Sequence, residues 1–493
     1  MFTSALDMLL VSSVLTPVAA YLGERLGIQR LRECFVVLSF SIALLLLLPL
    51  YSDVFEGITV ISFSSPPLAG CLEIDSLGIL MAITAISLAL LCAIYSIKYM
   101  EKDSGLTQYY VLLGFMIAGV VGVVFSGDFF TLYVFWEMMS ITSYALVAFR
   151  KDQPTSIEAG FKFLVMSAFG TSTILLAMSF LYGMSGTLNF AQLALALHTG
   201  SPSPWLQLVF PMLVVGFGVK AAIVPLHTWL PDAHPEAPSP VSALLSGIII
   251  ETGLYGLVRV LRLLFDPVIF ALPLGAIAIA TMTVANLTAL LQRDLKRLLA
   301  YSSIAQVGYM LIGVSVGTGY GLQGAFLHIF NHSLMKGLAF LSAGAIIYRI
   351  ESRDLNSMRG ISKYMPITTF ALTISLLGLG GIPFTNGFVS KYILFTSAFS
   401  AGEPILAISG ILNSAFSVVY YLRVLQTVFA KSNEEGKVRV KEAPLTMLIP
   451  MCAIAALVVF FGIWPAPAMD MAGRAAASLL DLERYVKAIF PAT

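Results

Sequence analysis

Long apolar runs separated by short polar stretches dominate the chain, and the length of the runs decides what they are. A helix that crosses a bilayer needs about 20 mostly apolar residues. By that rule the sequence predicts about fourteen spans, near 5–22, 34–50, 76–96, 109–126, 129–149, 160–182, 205–230, 238–262, 268–291, 300–317, 322–348, 366–400, 404–430 and 443–465. The expected class is an all-α polytopic membrane protein without a soluble domain, low-complexity region or long linker. The stretch after the last span sets Arg474, Asp481, Glu483, Arg484 and Lys487 among small apolar residues, and reads as an amphipathic or peripheral tail.

Two spans are too long and are interrupted. Span seven runs into a segment with Pro225, Pro231, Pro235, Pro238 and Pro240, and span twelve carries Gly378, Gly380, Gly381, Pro383 and Gly387 in its middle. Proline removes a backbone donor and glycine loosens a helix, so each stretch predicts a break. Breaks inside a bundle expose backbone dipoles to a substrate or ion, and a pair five spans apart suggests two repeats of inverted topology.

The basic residues give an orientation. Of 28 Lys and Arg, eighteen fall in the loops that are inner if the N-terminus is outside. Two, Arg259 and Arg262, fall in outer loops and three in the tail. Positive charge collects on the cytoplasmic side, so both termini are expected outside.

Composition agrees with this class. Hydrophobic residues are 58% of 493 positions and charged residues 11%, against about 25% charged in a soluble domain. Mean hydropathy is +0.90. A net charge of +1 gives no reason to expect nucleic acid. Cys34, Cys71, Cys92 and Cys452 lack the spacing of a metal or redox site, so no cofactor is expected. The first apolar stretch has no basic segment and cleavage site of a signal peptide and reads as a retained helix.

Five basic residues remain within spans: Lys162, Lys220, Lys336, Lys391 and Arg423. Glu137, Glu251, His328 and His332 join them. Each charge at mid-bilayer costs on the order of 2.5–3.5 kcal/mol, so these groups must pair, hydrate or titrate. Burial lowers a lysine's proton affinity and a nearby carboxylate restores it, so small movements of the carboxylate load or unload the lysine. Glu137 and Lys220 are natural partners in the first half, as a titrating pair or a static one. Glu251, one span on, either passes a proton between halves or neutralises Lys220. His328, His332 and Lys336, at i, i+4 and i+8, share one helix face and read as a proton wire. Zinc is the other use of paired histidines, but neither an HExxH motif nor a third ligand accompanies them. Lys391 follows the second break as Lys220 precedes the first. Lys162 has Glu158 one turn earlier, and Arg423 reads as snorkelling or pairing. His227, Asp232, His234 and Glu236 line the first break or its inner loop.

These residues sit in motifs that resemble one family: the antiporter-like subunits of respiratory complex I (M and N types), membrane-bound hydrogenases and multisubunit Mrp sodium/proton antiporters (D type). The motifs are Phe135-Trp136-Glu137-Met138-Met139-Ser140, the stretch from Gly218 to Gly247 around Lys220, His328 to Leu341, and Gly380 to Lys391. The resemblance covers roughly 75–430. It implies fourteen helices with helices 7 and 12 broken. Helices 1–3 would occupy 1–108, a first inverted five-helix repeat 109–264, a second 265–430, and helix 14 with the tail 431–493. It places the family's glutamate on Glu137, its first-half lysine on Lys220, relay histidines on His328 and His332, and the second-half terminal group on Lys391. Two features depart from a single type. Glu251 stands where the family more often has lysine or histidine, and Tyr420-Tyr421-Leu422-Arg423-Val424 resembles the N type while the Gly218–Gly247 stretch resembles the M and D types.

The expected function is a proton-translocating subunit, without a redox centre of its own, in a redox-driven complex of a prokaryotic cell membrane. Its partners would be other membrane subunits, the bilayer, and protons or sodium ions. The route would run from Lys220 along Glu251, His328, His332 and Lys336 to Lys391. A subunit of an Mrp-type sodium/proton antiporter and an assembly scaffold are the alternatives.

Overall fold

The computed structural model describes residues 4–28, 30–54, 58–62, 70–199, 204–431 and 440–489. The chain opens with α1 (Ser4–Leu26), α2 (Leu31–Leu47) and the single turn α3 (Leu50–Asp53). An antiparallel hairpin of β1 (Thr59–Ser62) and β2 (Cys71–Ile74) follows, with Thr59 opposite Ile74. Next come α4 (Ser76–Tyr99), α5 (Leu106–Val124), α6 (Phe129–Val147), α7 (Pro154–Ser185) and the short α8 (Phe190–Thr199). The middle of the chain holds α9 (Leu206–Ala221), α10 (Leu230–Glu236), α11 (Ser239–Leu244), a π-helical turn at Leu245–Ile249, and α12 (Ile250–Leu264). Beyond it run α13 (Pro267–Leu291), α14 (Leu295–Val316), α15 (Gly319–Ile350), α16 (Pro366–Gly380), α17 (Asn386–Ser400), α18 (Pro404–Phe429) and α19 (Leu445–Ile463). Two helices close the chain, α20 (Ala466–Leu480) and α21 (Leu482–Ile489).

Among the described residues, eleven helices are long and apolar enough to cross a membrane, and α9 and α16 are shorter apolar helices. The chain is a multi-pass helical membrane protein. Lipid offers no partner for a free N–H, and several helix starts are capped by a side chain. Asp75, Asp128, Asp294 and Thr318 accept the backbone N–H of Gly78, Thr131, Arg297 and Gly321. Large apolar side chains such as Phe161, Phe169, Leu287, Leu291 and Leu412 are exposed on α7, α13 and α18, as lipid-facing helices require. In the stretch Ser239–Leu264, by contrast, every residue but Arg262 is buried. The long α15 packs against α14, α16, α17, α19 and α20, which makes it the pillar of the second half.

At the two long spans the helix stops and restarts. α9 ends where Ala222 takes φ 54°, and the indole N–H of Trp229 donates back to Val219 O at 2.8 Å before α10 begins. α16 ends where Gly381 takes φ 76°, a conformation that only glycine adopts without strain, and α17 restarts at Asn386.

Three expectations need correction. The chain is not purely helical: β2 docks its backbone on the bundle through Glu73 N–H to Phe125 O (2.6 Å) and Gly127 N–H to Cys71 O (3.0 Å). Arg259 and Arg262 belong to α12 rather than to an outer loop, and Arg259 is buried. Lys296 belongs to α14, which its Asp294 cap starts before the apolar run does. The tail, expected to be amphipathic or peripheral, forms two amphipathic helices, of which α20 packs on α15 and α4. Lys437 and Arg439 of the inner-loop count lie outside the described residues.

Candidate functional site

Lys220, in the last turn of α9, is 2% exposed. Its ammonium donates to Ser167 Oγ of α7 at 3.0 Å and lies over the rings of Phe163 (4.8 Å) and Trp136 (5.9 Å). Aromatic faces and one hydroxyl hold a cation loosely, because neither supplies a full counter-charge. Glu137, one residue after Trp136 on α6, is half-buried. It lies within electrostatic reach of Lys220, but among the described residues no ion pair joins the two. The structure therefore shows a lysine beside its carboxylate, not clasped by it.

α12 crosses against this lysine. A Cβ added to Gly253 would stand 2.5 Å from Ala221 N and 2.8 Å from the Lys220 carbonyl carbon, so the approach of the two helices requires glycine there. Glu251, two residues earlier and fully buried, does not turn to Lys220. It accepts from His332 Nδ1 of α15 at 2.5 Å, and from the Ser333 hydroxyl at 2.7 Å. The same hydroxyl, with its single proton, is also within bonding reach of Gly247 O inside the π-helical turn. Such turns widen a helix locally and re-aim the side chains of the next turn; here they present Glu251 to α15.

From His332 the polar line continues along α15. The His332 and His328 rings are 6.3 Å apart and near parallel, one helical turn apart. His328 is bonded on both ring nitrogens, to Ser390 Oγ (2.8 Å) and Gln306 Oε1 (2.9 Å). Gln306 Nε2 donates to Leu379 O at 3.1 Å, the same carbonyl that the Lys391 ammonium reaches at 2.7 Å. That carbonyl is free to accept because α16 stops at Gly380. Lys391 also donates to Ser414 Oγ (3.0 Å) and lies 4.6 Å over the Tyr309 ring. Lys336, one turn beyond His332, instead points into α14, where it bonds Leu299 O (2.8 Å) and Ser302 Oγ.

The structure thus joins Glu251 to His332, and His328 through Gln306 to the carbonyl that Lys391 reaches. The two histidine rings are 6.3 Å apart with no hydrogen bond between them among the described residues, and Lys220 with Glu137 and Lys336 stand at the flanks of this line. Gln306, Ser390, Ser333, Ser302, Ser414 and Tyr309 escape a reading that looks only for charge; a polar side chain inside an apolar run is the signal that could have found them. Lys162 is half-exposed and paired with Glu158 (2.7 Å) and Asp232 (3.1 Å). Arg423 caps the end of α13 on Leu290 O and Gln292 O. Glu236 pairs with Arg353 at 2.9 Å, and His227 lies beside Tyr301. His234 is fully buried against Phe340, with neither ring nitrogen bonded among the described residues. A cavity of about 1600 Å³ on the face of the basic loops reaches down to Lys296, which donates to Ala237 O at 2.6 Å.

Chemically the line offers groups that take up and release protons, set among hydroxyl and amide groups that both donate and accept. The family described as NADH:quinone oxidoreductase/Mrp antiporter, transmembrane, matches residues 126–417, and that described as NADH-ubiquinone oxidoreductase (complex I), chain 5 N-terminus, matches 61–110. The chain is 34% identical over 431 residues to F(420)H(2) dehydrogenase subunit N of Methanosarcina mazei, across 83% of this chain and 85% of that one. It is 28% identical over 461 residues to a Na(+)/H(+) antiporter subunit of Alkalihalophilus pseudofirmus, across 92% and 93%. A chain of the membrane-bound sulfane sulfur reductase, an archaeal respiratory membrane complex, superposes with a TM-score of 0.90 at 27% identity, over 98% of this chain and 99% of that one.

Proposed function

The chain belongs to the antiporter-like family of NADH:quinone oxidoreductase and Mrp membrane subunits, and from that premise we propose that it is the proton-translocating subunit of a redox-driven membrane complex. The observation that carries this is the Glu251–His332 bond, which ties the lysine half of α9 and α12 to the relay on α15. Protons load at Lys220, cross at Glu251 and His332, pass His328 and Gln306, and leave by Lys391, while Lys336 biases the middle of the line by its charge. Movement of Glu137 relative to Lys220 sets the lysine's proton affinity and couples the line to the neighbouring subunit. The likeness to a dehydrogenase subunit and to a chain of the respiratory sulfane sulfur reductase complex supports redox drive.

The same reading takes the bundle as fourteen crossings, with α9–α10 and α16–α17 each one interrupted crossing, in two inverted repeats. The stops at Ala222 and Gly381 and their spacing in the chain support it. The basic loops face the cytoplasm and both termini the outside, in accord with the distribution of Lys and Arg. The antiporter likeness supports a second reading, exchange of sodium for protons without electron transfer. Reconstitution of the parent complex in sealed vesicles separates them. Proton movement that starts on addition of electron donor, persists without sodium and collapses with a protonophore is the expected result. Proton movement that requires a sodium gradient and ignores the donor would replace it with the antiporter.

A further inference from the structure

A second buried ionic cluster lies on the face opposite the basic loops, away from the line just described. Arg259 of α12 is 2% exposed and pairs with Asp75 through one guanidinium nitrogen. Its Nη2 stands 3.5 Å from Glu73 Oε2 of β2. Glu73 is fully buried and accepts from the Tyr485 hydroxyl of α21 at 2.7 Å. Two buried carboxylates therefore share one guanidinium. Asp75 holds the better position, because its other oxygen caps α4 on Gly78 N–H at 2.7 Å. A buried charge without its own counter-charge is costly, so the proton that neutralises this cluster resides on Glu73. Other groups facing Glu73 do not offset this: Asp128, the cap of α6, adds negative charge, and Cys71 lies 3.9 Å away through its sulfur.

The cluster is connected inward and outward. Glu251, Tyr255 and Arg259 stand at i, i+4 and i+8 on α12, so one buried face of that helix runs from the mid-bundle carboxylate to the cluster, about 6 Å per step. The Tyr255 hydroxyl donates to Val124 O at 2.8 Å. That carbonyl and Asp75 Oδ1 lie 2.7 and 3.1 Å from one point, the place a Cβ on Gly78 would fill. The absent side chain leaves Tyr255 and Asp75 neighbours. Outward, a pocket of about 280 Å³ is lined by Asp75, Ser76, Asp481, Arg484 and Tyr485.

We propose that Glu73 is a proton-release group of the first half, fed along the Glu251–Tyr255–Arg259 face of α12 and emptied into the pocket beneath α21, where Tyr485 controls its proton affinity. The inference rests on the proton-translocating reading and adds to it an outlet distinct from Lys391. One proton leaves the Glu73 carboxyl past Tyr485 and Asp75, which line the pocket, for water there, and one from the Glu251 side replaces it. Burial holds this carboxyl at about 8, where a proton can be both kept and given up near neutral pH, and the Tyr485 bond draws it downward.

The test uses the assembled complex in sealed vesicles, with proton transfer measured against the pH of the receiving side. For Tyr485→Phe, which keeps the bulk and loses the donor, the midpoint of that profile should move to higher pH. For Glu73→Gln, the transfer per turnover should fall and the part of its dependence on receiving-side pH that Tyr485→Phe shifts should vanish, and Glu73→Asp should restore that part. Unmoved profiles in all three, in complexes that assemble and turn over, would make the cluster a static ion pair and overturn the outlet. Loss of transfer in Lys220→Ala alongside them would leave the translocating reading standing; absence of proton transfer in the wild type would remove that reading itself.

Discussion

Glu251→Gln separates the chemical role of this carboxylate from its structural one. Glu251 is fully buried, and its two oxygens accept from His332 and Ser333. Removing one partner of a buried pair costs about 3–5 kcal/mol. Glu251→Ala would meet that cost, since His332 Nε2 already has no hydrogen-bond partner among the described residues and Nδ1 would lose its own. A loss of this size threatens assembly and explains nothing about transport. Glutamine keeps the volume, accepts from His332 through its oxygen, and cannot exchange a proton at neutral pH. Its cost should be near that of one ordinary hydrogen bond, about 1 kcal/mol. The variant complex should therefore assemble at wild-type yield and keep its apparent melting temperature within a few degrees. Proton transfer in sealed vesicles should fall at least about tenfold, which corresponds to roughly 1.4 kcal/mol on the barrier. Assembly would be followed by co-purification of the neighbouring subunits, and transfer by a pH-sensitive dye inside the vesicles. Wild-type transfer by assembled Glu251→Gln would refute the crossing at this residue.

Three further outcomes rest on particular contacts. Gln306→Leu removes the amide that joins His328 to the Leu379 carbonyl shared with Lys391; transfer should slow several-fold while Lys391 stays in place, and an unchanged rate would mean that protons reach Lys391 without this amide. Gly253→Val puts a side chain into the backbone of Lys220 and Ala221, so the complex should fail to assemble or melt earlier, whereas normal yield and stability would contradict the close packing of α9 on α12. Glu73 gives a pH signature. Burial raises its carboxyl from 4.5 to about 8, so the folded chain keeps a proton that the unfolded chain loses. Its contribution to stability is fully present below pH 4.5 and lost as pH rises through about 8. Detergent-solubilised wild type should lose stability across that window relative to Glu73→Gln, and parallel melting curves would contradict it.

Much of this was legible in the apolar runs, because a helix in lipid must satisfy its own backbone and so announces itself by length alone. The same expense of burying charge made Lys220, Glu251, His328, His332 and Lys391 stand out. What stayed hidden was cheap to bury. Gln306, Ser390 and Ser333 carry no charge, sit comfortably in an apolar helix, and become visible only when their partners on other helices are known. Arg259 was misplaced for the opposite reason: near the end of a run it resembled a loop cation, and nothing local tells that Asp75 and Glu73, far earlier in the chain, close over it. The four-residue strands of the hairpin are too short for alternation to register. The partner of Glu251 was open between Lys220 and the next half; only the π-helical turn before it shows why it faces His332.

The most direct test of the central claim is Lys220→Ala. Ion transfer by the parent complex in sealed vesicles would be compared with wild type at matched assembly, with and without sodium and with a protonophore. Loss of protonophore-sensitive transfer in an intact complex, in either salt, is the predicted result, because the alanine removes the cation held between Ser167, Phe163 and Trp136. Unchanged transfer would take Lys220 off the path and leave the chain as a scaffold for its neighbours.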